Sequence, residues 1–126
     1  MWMYLAVGAG GAVGAMARYA VASQALHLMG PNFPWGTLFV NIMGSLAIGV
    51  LAEAFALKLS VTPEMRVFLI TGFLGGFTTF SAFSLDAMNM IQRGDTAQAV
   101  VYIGASVVFS IGALVLGLMA TRWVLT

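Results

Sequence analysis

The chain has 126 residues, 61% of them hydrophobic and 7% charged, with a mean hydropathy of +1.00. So large an apolar share cannot be hidden inside one water-soluble domain of that length, and the sequence reads as an integral membrane protein. Five basic and four acidic residues give a net charge of +1 with no block of like charge, so no nucleic-acid partner is expected. With no cysteine and a single histidine, His27, disulfides, thiolate chemistry and His/Cys metal sites are excluded.

A hydrocarbon core about 30 Å thick needs roughly 20 helical residues per crossing. Four spans with short connections therefore occupy residues 1–126 as a single domain of an all-α membrane protein. The first span, about 2–28, opens without the basic segment of a signal peptide and is expected to be retained. Gly30-Pro31-Asn32-Phe33-Pro34 is a turn, and Pro34 suits the start of a second span at 35–57. A polar hinge from Lys58 to Arg66 leads into a third span at 65–92. Arg93-Gly94-Asp95 then turns the chain into a fourth at 96–124.

Four crossings put both termini on one side. Lys58, Arg66 and Arg122 fall on that face, Arg93 and Arg18 on the other, so the basic residues hardly fix an orientation. A chain balanced in this way can insert both ways up, and two opposed copies can pair about an axis in the membrane plane, as inverted repeats do in transport proteins. A parallel oligomer oriented by an assembly partner is the other reading.

Most glycines suit close helix packing, among them Gly8, Gly11 and Gly14 in the first span, Gly44 and Gly49 in the second, and Gly112 and Gly117 in the fourth. The third span departs from this at Thr71-Gly72-Phe73-Leu74-Gly75-Gly76-Phe77-Thr78-Thr79-Phe80-Ser81-Ala82-Phe83-Ser84, where three glycines and several hydroxyls collect. Non-helical backbone at membrane depth survives only when buried in protein or lining a wet cavity. Carbonyls freed by a break here suit a hard cation, and a second copy at a twofold axis would double their number. An unbroken helix with a packing notch is the competing reading.

If helix resumes after the break, Phe80 and Phe83 share a face with Thr79 and Ser84. The positive edge of a phenyl ring offers a poorly hydrated anion a mildly favourable contact. Aromatic pairs at this spacing also serve as core or lipid-facing residues. Asn41 sits deep in the second span, either as an interhelical clamp or as a donor to an anion. In the fourth span Tyr102, Ser106 and Ser110 recur every four residues, a stripe that backbone bonding by serine would also explain. Near the span ends, Arg18 could set a positive potential at an anion's entrance and Asp86 could orient the hydroxyl segment; Glu53 snorkels or pairs. No catalytic set can be assembled, so the chain is not expected to be an enzyme.

Together these segments resemble the Fluc/CrcB family of fluoride channels. The likeness rests on the glycine-rich first span reaching Arg18-Tyr19 and on Pro34-Trp35-Gly36-Thr37-Leu38-Phe39-Val40-Asn41. It rests equally on Thr71 to Ser81 with Phe83 and Ser84, in order over essentially the whole chain. The resemblance implies an antiparallel, dual-topology homodimer in the cell inner membrane, with a broken third helix and two pores. It implies that backbone carbonyls of Gly75 and Thr78 surround a structural sodium ion, Na+, at the dimer interface. Phe80 and Phe83 would be ring-edge ligands, Asn41 a donor to fluoride, and Ser81, Ser84, Tyr102, Ser106 and Ser110 a hydroxyl track. Ala82 falls where family members often carry Thr, and Asp86 where they commonly carry Glu. Passive conduction down an inside-negative potential would then export fluoride. The rival four-span class, small multidrug transporters, needs a carboxylate deep in the first span, and no acid precedes Glu53 here. A purely structural membrane subunit would tolerate volume-conserving change at Phe80, Phe83 and Asn41.

Overall fold

The computed structural model describes all residues, 1–126, and contains helices and no strands. Four stretches are long and apolar enough to cross a membrane: Trp2–Met29, Trp35–Leu57, Pro63–Gln92 and Thr96–Leu125. The first, second and fourth are the single helices α1 (Trp2–Met29), α2 (Trp35–Leu57) and α6 (Thr96–Leu125). The third is composite. It consists of α3 (Pro63–Arg66), a π-helical stretch (Val67–Leu74), α4 (Gly75–Phe77) and α5 (Phe80–Gln92).

Local chemistry sets the ends of these elements. Gly30 adopts φ +82° and its N–H reaches back to the Leu26 carbonyl, stopping α1. Thr62 caps α3 by accepting from the Met65 N–H at 3.1 Å, with Pro63 in the first turn, where a missing N–H costs nothing. After α5, Gly94 turns at φ +90° while Gly94 N–H bonds Ile91 and Asp95 N–H bonds Met90. This is a Schellman ending, which satisfies the last carbonyls of the helix. The span therefore begins at Pro63, two residues before the expected start.

Helices in lipid gain little from hiding apolar surface from one another, so contact depends on backbone approach. Along α2 and α6, which run in parallel, a Cβ on Gly117 would stand 2.5 Å from the Leu46 carbonyl oxygen, and one on Gly49 would collide with the Leu114 carbonyl. Between α1 and the composite span, a Cβ on Gly76 would lie 2.6 Å from the Gly11 carbonyl oxygen, and one on Gly14 would meet the Phe73 carbonyl. Gly8 and Gly112, expected to pack, face open space. The π-helical stretch was not legible in the sequence. Its wider coil lies against a wall of α1 whose residues Gly10, Gly11 and Gly14 carry no side chain.

The buried core is small: Phe83, Ala87, Met90, Ala99 and Tyr102, with Phe33 and Leu38 against it. Trp2, Tyr4 and Trp123 stand exposed near span ends, where amphipathic rings suit the headgroup level. At the same end, buried Glu53 of α2 accepts from Arg122 of α6 at 3.1 and 3.4 Å, so the expected pairing of Glu53 is made with the fourth span.

Candidate functional site

The site begins where the third span loses its helical backbone. Thr78 (φ −90°, ψ 160°) and Thr79 (φ −155°, ψ 123°) are extended, separating α4 from α5. Every polar group released by such an interruption must find a partner at membrane depth. Asn41 of α2 meets two of these demands at once. Its Nδ2 donates to the Thr79 carbonyl at 3.0 Å and its Oδ1 accepts from the Thr79 N–H at 2.7 Å. The two bonds fix the amide orientation, because one backbone group only accepts and the other only donates. Thr79 also caps α5, its hydroxyl oxygen accepting from the Ala82 N–H at 3.0 Å. Thr78 donates its hydroxyl to the Leu74 carbonyl at 2.9 Å, and Arg18 Nε donates to the Gly76 carbonyl at 3.1 Å.

Beside this interruption lies a cavity of about 310 Å³, walled by α2, α5 and α6. Asn41, Thr78, Thr79, Phe80, Phe83, Ser106 and Ser110 line it, together with Ser45. The Phe80 and Phe83 rings are 5.5 Å apart and tilted by 51°, and Phe83 lies 5.2 Å from the Tyr102 ring. Phe83 is buried, whereas Phe80 is 79% exposed on the single chain. The hydroxyls of Ser106 and Ser110 are buried without any hydrogen-bond partner. Unpaired buried hydroxyls are costly, and these two face a space that can hold water or an ion.

A second, more polar cavity of about 280 Å³ lies between the end of α1, the α1–α2 turn and α5. Thr37, Asp86, Asn89 and Arg93 contribute to its wall. Asp86 accepts from the Tyr102 hydroxyl at 3.2 Å, so its partner is on α6 and not in the hydroxyl segment of its own span. Tyr102 is fully buried between the two cavities and lines neither. Arg93 is tied to Asp95 at 3.2 Å and to the Asn32 carbonyl at 3.1 Å.

The structure thus gathers Asn41, Thr79, Phe80, Phe83, Ser106 and Ser110 around one space. Ser81 and Ser84 lie outside it on the exposed face of α5, Ser84 donating to the Phe80 carbonyl at 2.9 Å and Ser81 beside Thr79 Oγ1 at 3.3 Å. Arg18, expected at an anion's entrance, donates to the Gly76 carbonyl in the last turn before the break. Gly75 is exposed and Thr78 half-buried at the same point.

The profile of the family described as "CrcB-like protein, Camphor Resistance (CrcB)" matches residues 5–118. The chain belongs to the CrcB family. Among its CrcB-family relatives, a protein of Rhizobium meliloti (strain 1021) named fluoride-specific ion channel FluC is 56% identical over 118 residues, 94% of each chain. One of Rhizobium etli (strain CIAT 652) with the same name is 53% identical over 92% of this chain and 93% of its own. The fluoride-specific ion channel FluC 1 of Nitrobacter hamburgensis is 52% identical over 96% and 97%. Within this CrcB-family chain, sequence pattern alone assigns no role to Ser45 or Thr37. Both were detectable, since each stands four residues from Asn41 on α2 and repeats the spacing noticed in α6.

Proposed function

We propose that this protein is a fluoride-specific ion channel that lets fluoride leave the cytoplasm passively. The observation that carries the reading is the cavity walled by α2, α5 and α6, in which two phenyl rings and unpaired serine hydroxyls converge beside the interrupted span. Fluoride holds its water tightly, so a narrow path must replace that shell with short donors and ring edges. Ser106 and Ser110 offer donors without placing a charge in the hydrocarbon region, and the uncharged wall leaves the anion mobile. An inside-negative potential drives an anion outward at about 2.3 kcal/mol per 100 mV, so no second substrate is required. The four acids are Glu53, Glu64, Asp86 and Asp95, and α1 contains none of them. That removes the carboxylate a proton-coupled drug transporter would use.

The functional unit we infer is an antiparallel, dual-topology homodimer in the cell inner membrane. Its support is the exposure of Phe80 and of Gly75, and a bias of basic residues of only three at one membrane face against one at the other, with Arg18 at the break. A structural sodium ion suits the neutral carbonyl oxygens beside the break. No cluster of His, Cys, Asp and Glu capable of holding a metal exists. The Gly75 and Thr78 carbonyls receive no side-chain donor, in contrast to those of Leu74, Gly76 and Thr79. Neutral oxygens of this kind suit a hard monovalent cation, which when bound would supply positive charge at the junction. This chain's own residues do the rest: Asn41 holds Thr79 extended, Arg18 holds Gly76, and the two anchor the segment bearing Phe80.

Purified protein in liposomes, followed with a fluoride electrode, should release fluoride and retain chloride. Phe80→Ile should lower the fluoride rate at least tenfold while leaving the protein folded. Liposomes that retain fluoride, or release both halides equally, would refute the assignment.

A further inference from the structure

The polar groups around the cavity walled by α2, α5 and α6 divide according to whether they already have a hydrogen-bond partner. The Asn41 amide is latched to the N–H and the C=O of Thr79, with one Nδ2 hydrogen left over, and the Thr78 hydroxyl donates to the Leu74 carbonyl. The Thr79 hydroxyl oxygen takes up the Ala82 N–H and the hydroxyl lies 3.3 Å from that of Ser81, a pair in which either can donate. Three lining hydroxyls remain: Ser106 and Ser110 on α6, and Ser45 on α2, which takes part in none of the hydrogen bonds around the site. A serine in a helix can spend its hydroxyl on the carbonyl four residues back, as Ser84 does. Ser45 leaves that option unused while facing the cavity.

Its register adds a second observation. Thr37, Asn41 and Ser45 on α2 follow the same four-residue spacing as Tyr102, Ser106 and Ser110 on α6. The two helices are parallel, with Thr37 beside Tyr102 at one end and Gly49 against the Leu114 backbone at the other. The stripes therefore advance together, a turn at a time, and Ser45 is the member of the α2 stripe level with Ser110. An anion leaving the Asn41 region along α6 alone would be held from one side only.

We propose that Ser45 is an anion-contacting residue, a hydroxyl donor on the α2 wall that faces Ser110 and helps to replace the water shell of fluoride. This rests on the fluoride-channel reading above. Losing one donor to a charged ligand should slow passage about tenfold, and the small, strongly hydrated halide should suffer more than a larger one.

The test uses full-length protein in liposomes with a fluoride electrode, comparing Ser45→Ala, Ser45→Thr and Ser45→Val. Thr and Val have nearly the same volume and differ in the hydroxyl. Elution volume and thermal unfolding in detergent verify that each variant is folded. Ser45→Thr is expected to keep at least half of the parent fluoride rate. Ser45→Ala and Ser45→Val are expected to fall about tenfold, with a higher half-saturating fluoride concentration. Equal rates for Ser45→Thr and Ser45→Val, whether both high or both low, would overturn the proposal, as would a Ser45→Ala rate equal to the parent's. A parent protein that passes no fluoride would overturn the channel reading itself, and the role of Ser45 with it.

Discussion

At the level of single residues, Asn41 shows how one side chain can serve the backbone and the cavity together. It latches Thr79 with two hydrogen bonds at 2.7 and 3.0 Å while its flank faces the cavity. Asn41→Ala would strand a backbone donor and a backbone acceptor, each costing about 1–3 kcal/mol when buried. We expect it to lose both stability in detergent unfolding and fluoride flux. Asn41→Asp keeps an acceptor for the Thr79 N–H but adds a charge on the path of an anion. At 4–8 Å and an effective dielectric near 20 that charge repels fluoride by about 2–4 kcal/mol. Asp should therefore lower flux at least thirtyfold, well beyond the Ala variant, at a loss of stability at least as large because its second oxygen faces the Thr79 carbonyl. Flux and stability falling in step for both variants would argue that Asn41 is only a clamp. The sequence left clamp and donor open for this residue because spacing along α2 says nothing about what sits opposite; the clamp became visible only with Thr79 in place.

Among the helices, glycine placement separates structural contacts from tolerated smallness. A Cβ on Gly14 would meet the Phe73 carbonyl and stand 2.9 Å from the Phe77 nitrogen, both backbone atoms of the composite span. Nothing there can swing aside, so Gly14→Ala should destabilise the protein by about 1–3 kcal/mol through overpacking. Gly104, with open space around it, should accept Ala at no cost. Thermal unfolding of the two variants in detergent checks the contrast, and equal midpoints would mean that α1 can move away from the break without penalty. The four spans were readable from hydropathy because each is an unbroken apolar run. The interruption was readable only as a region, since Gly72, Gly75 and Gly76 all remain in helical backbone and the extended residues are Thr78 and Thr79. What places the break is tertiary: the side-chain-free wall of α1 on one side and Asn41 on the other. For the same reason Ser81 and Ser84, which follow Phe80 in sequence, lie outside the cavity, because α5 turns them to its exposed face.

For the whole molecule, the exposure of Phe80 and Gly75 and the charge distribution bear on the arrangement of copies in the membrane. Arg18 is engaged at the break, so the basic residues at the membrane faces are Lys58, Arg66 and Arg122 on one side and Arg93 on the other. That difference is small enough for added charge to override, since orientation follows the Lys/Arg count near span ends and acids contribute little. Ser60→Lys with Thr126→Lys should drive every copy one way up; Asn32→Lys with Gln92→Lys and Lys58→Gln should drive the reverse. These positions are exposed and outside both cavities. If fluoride passes only through opposed pairs, each biased variant expressed alone should yield little flux, and expressing the two together should restore it. The orientation itself is read independently from the side of the membrane on which a C-terminal tag is labelled. A variant whose tag is labelled from one side only, yet which still conducts fluoride at the parent rate, would show that parallel copies or single chains suffice. The exposed ring of Phe80 would then need a covering other than an inverted second copy.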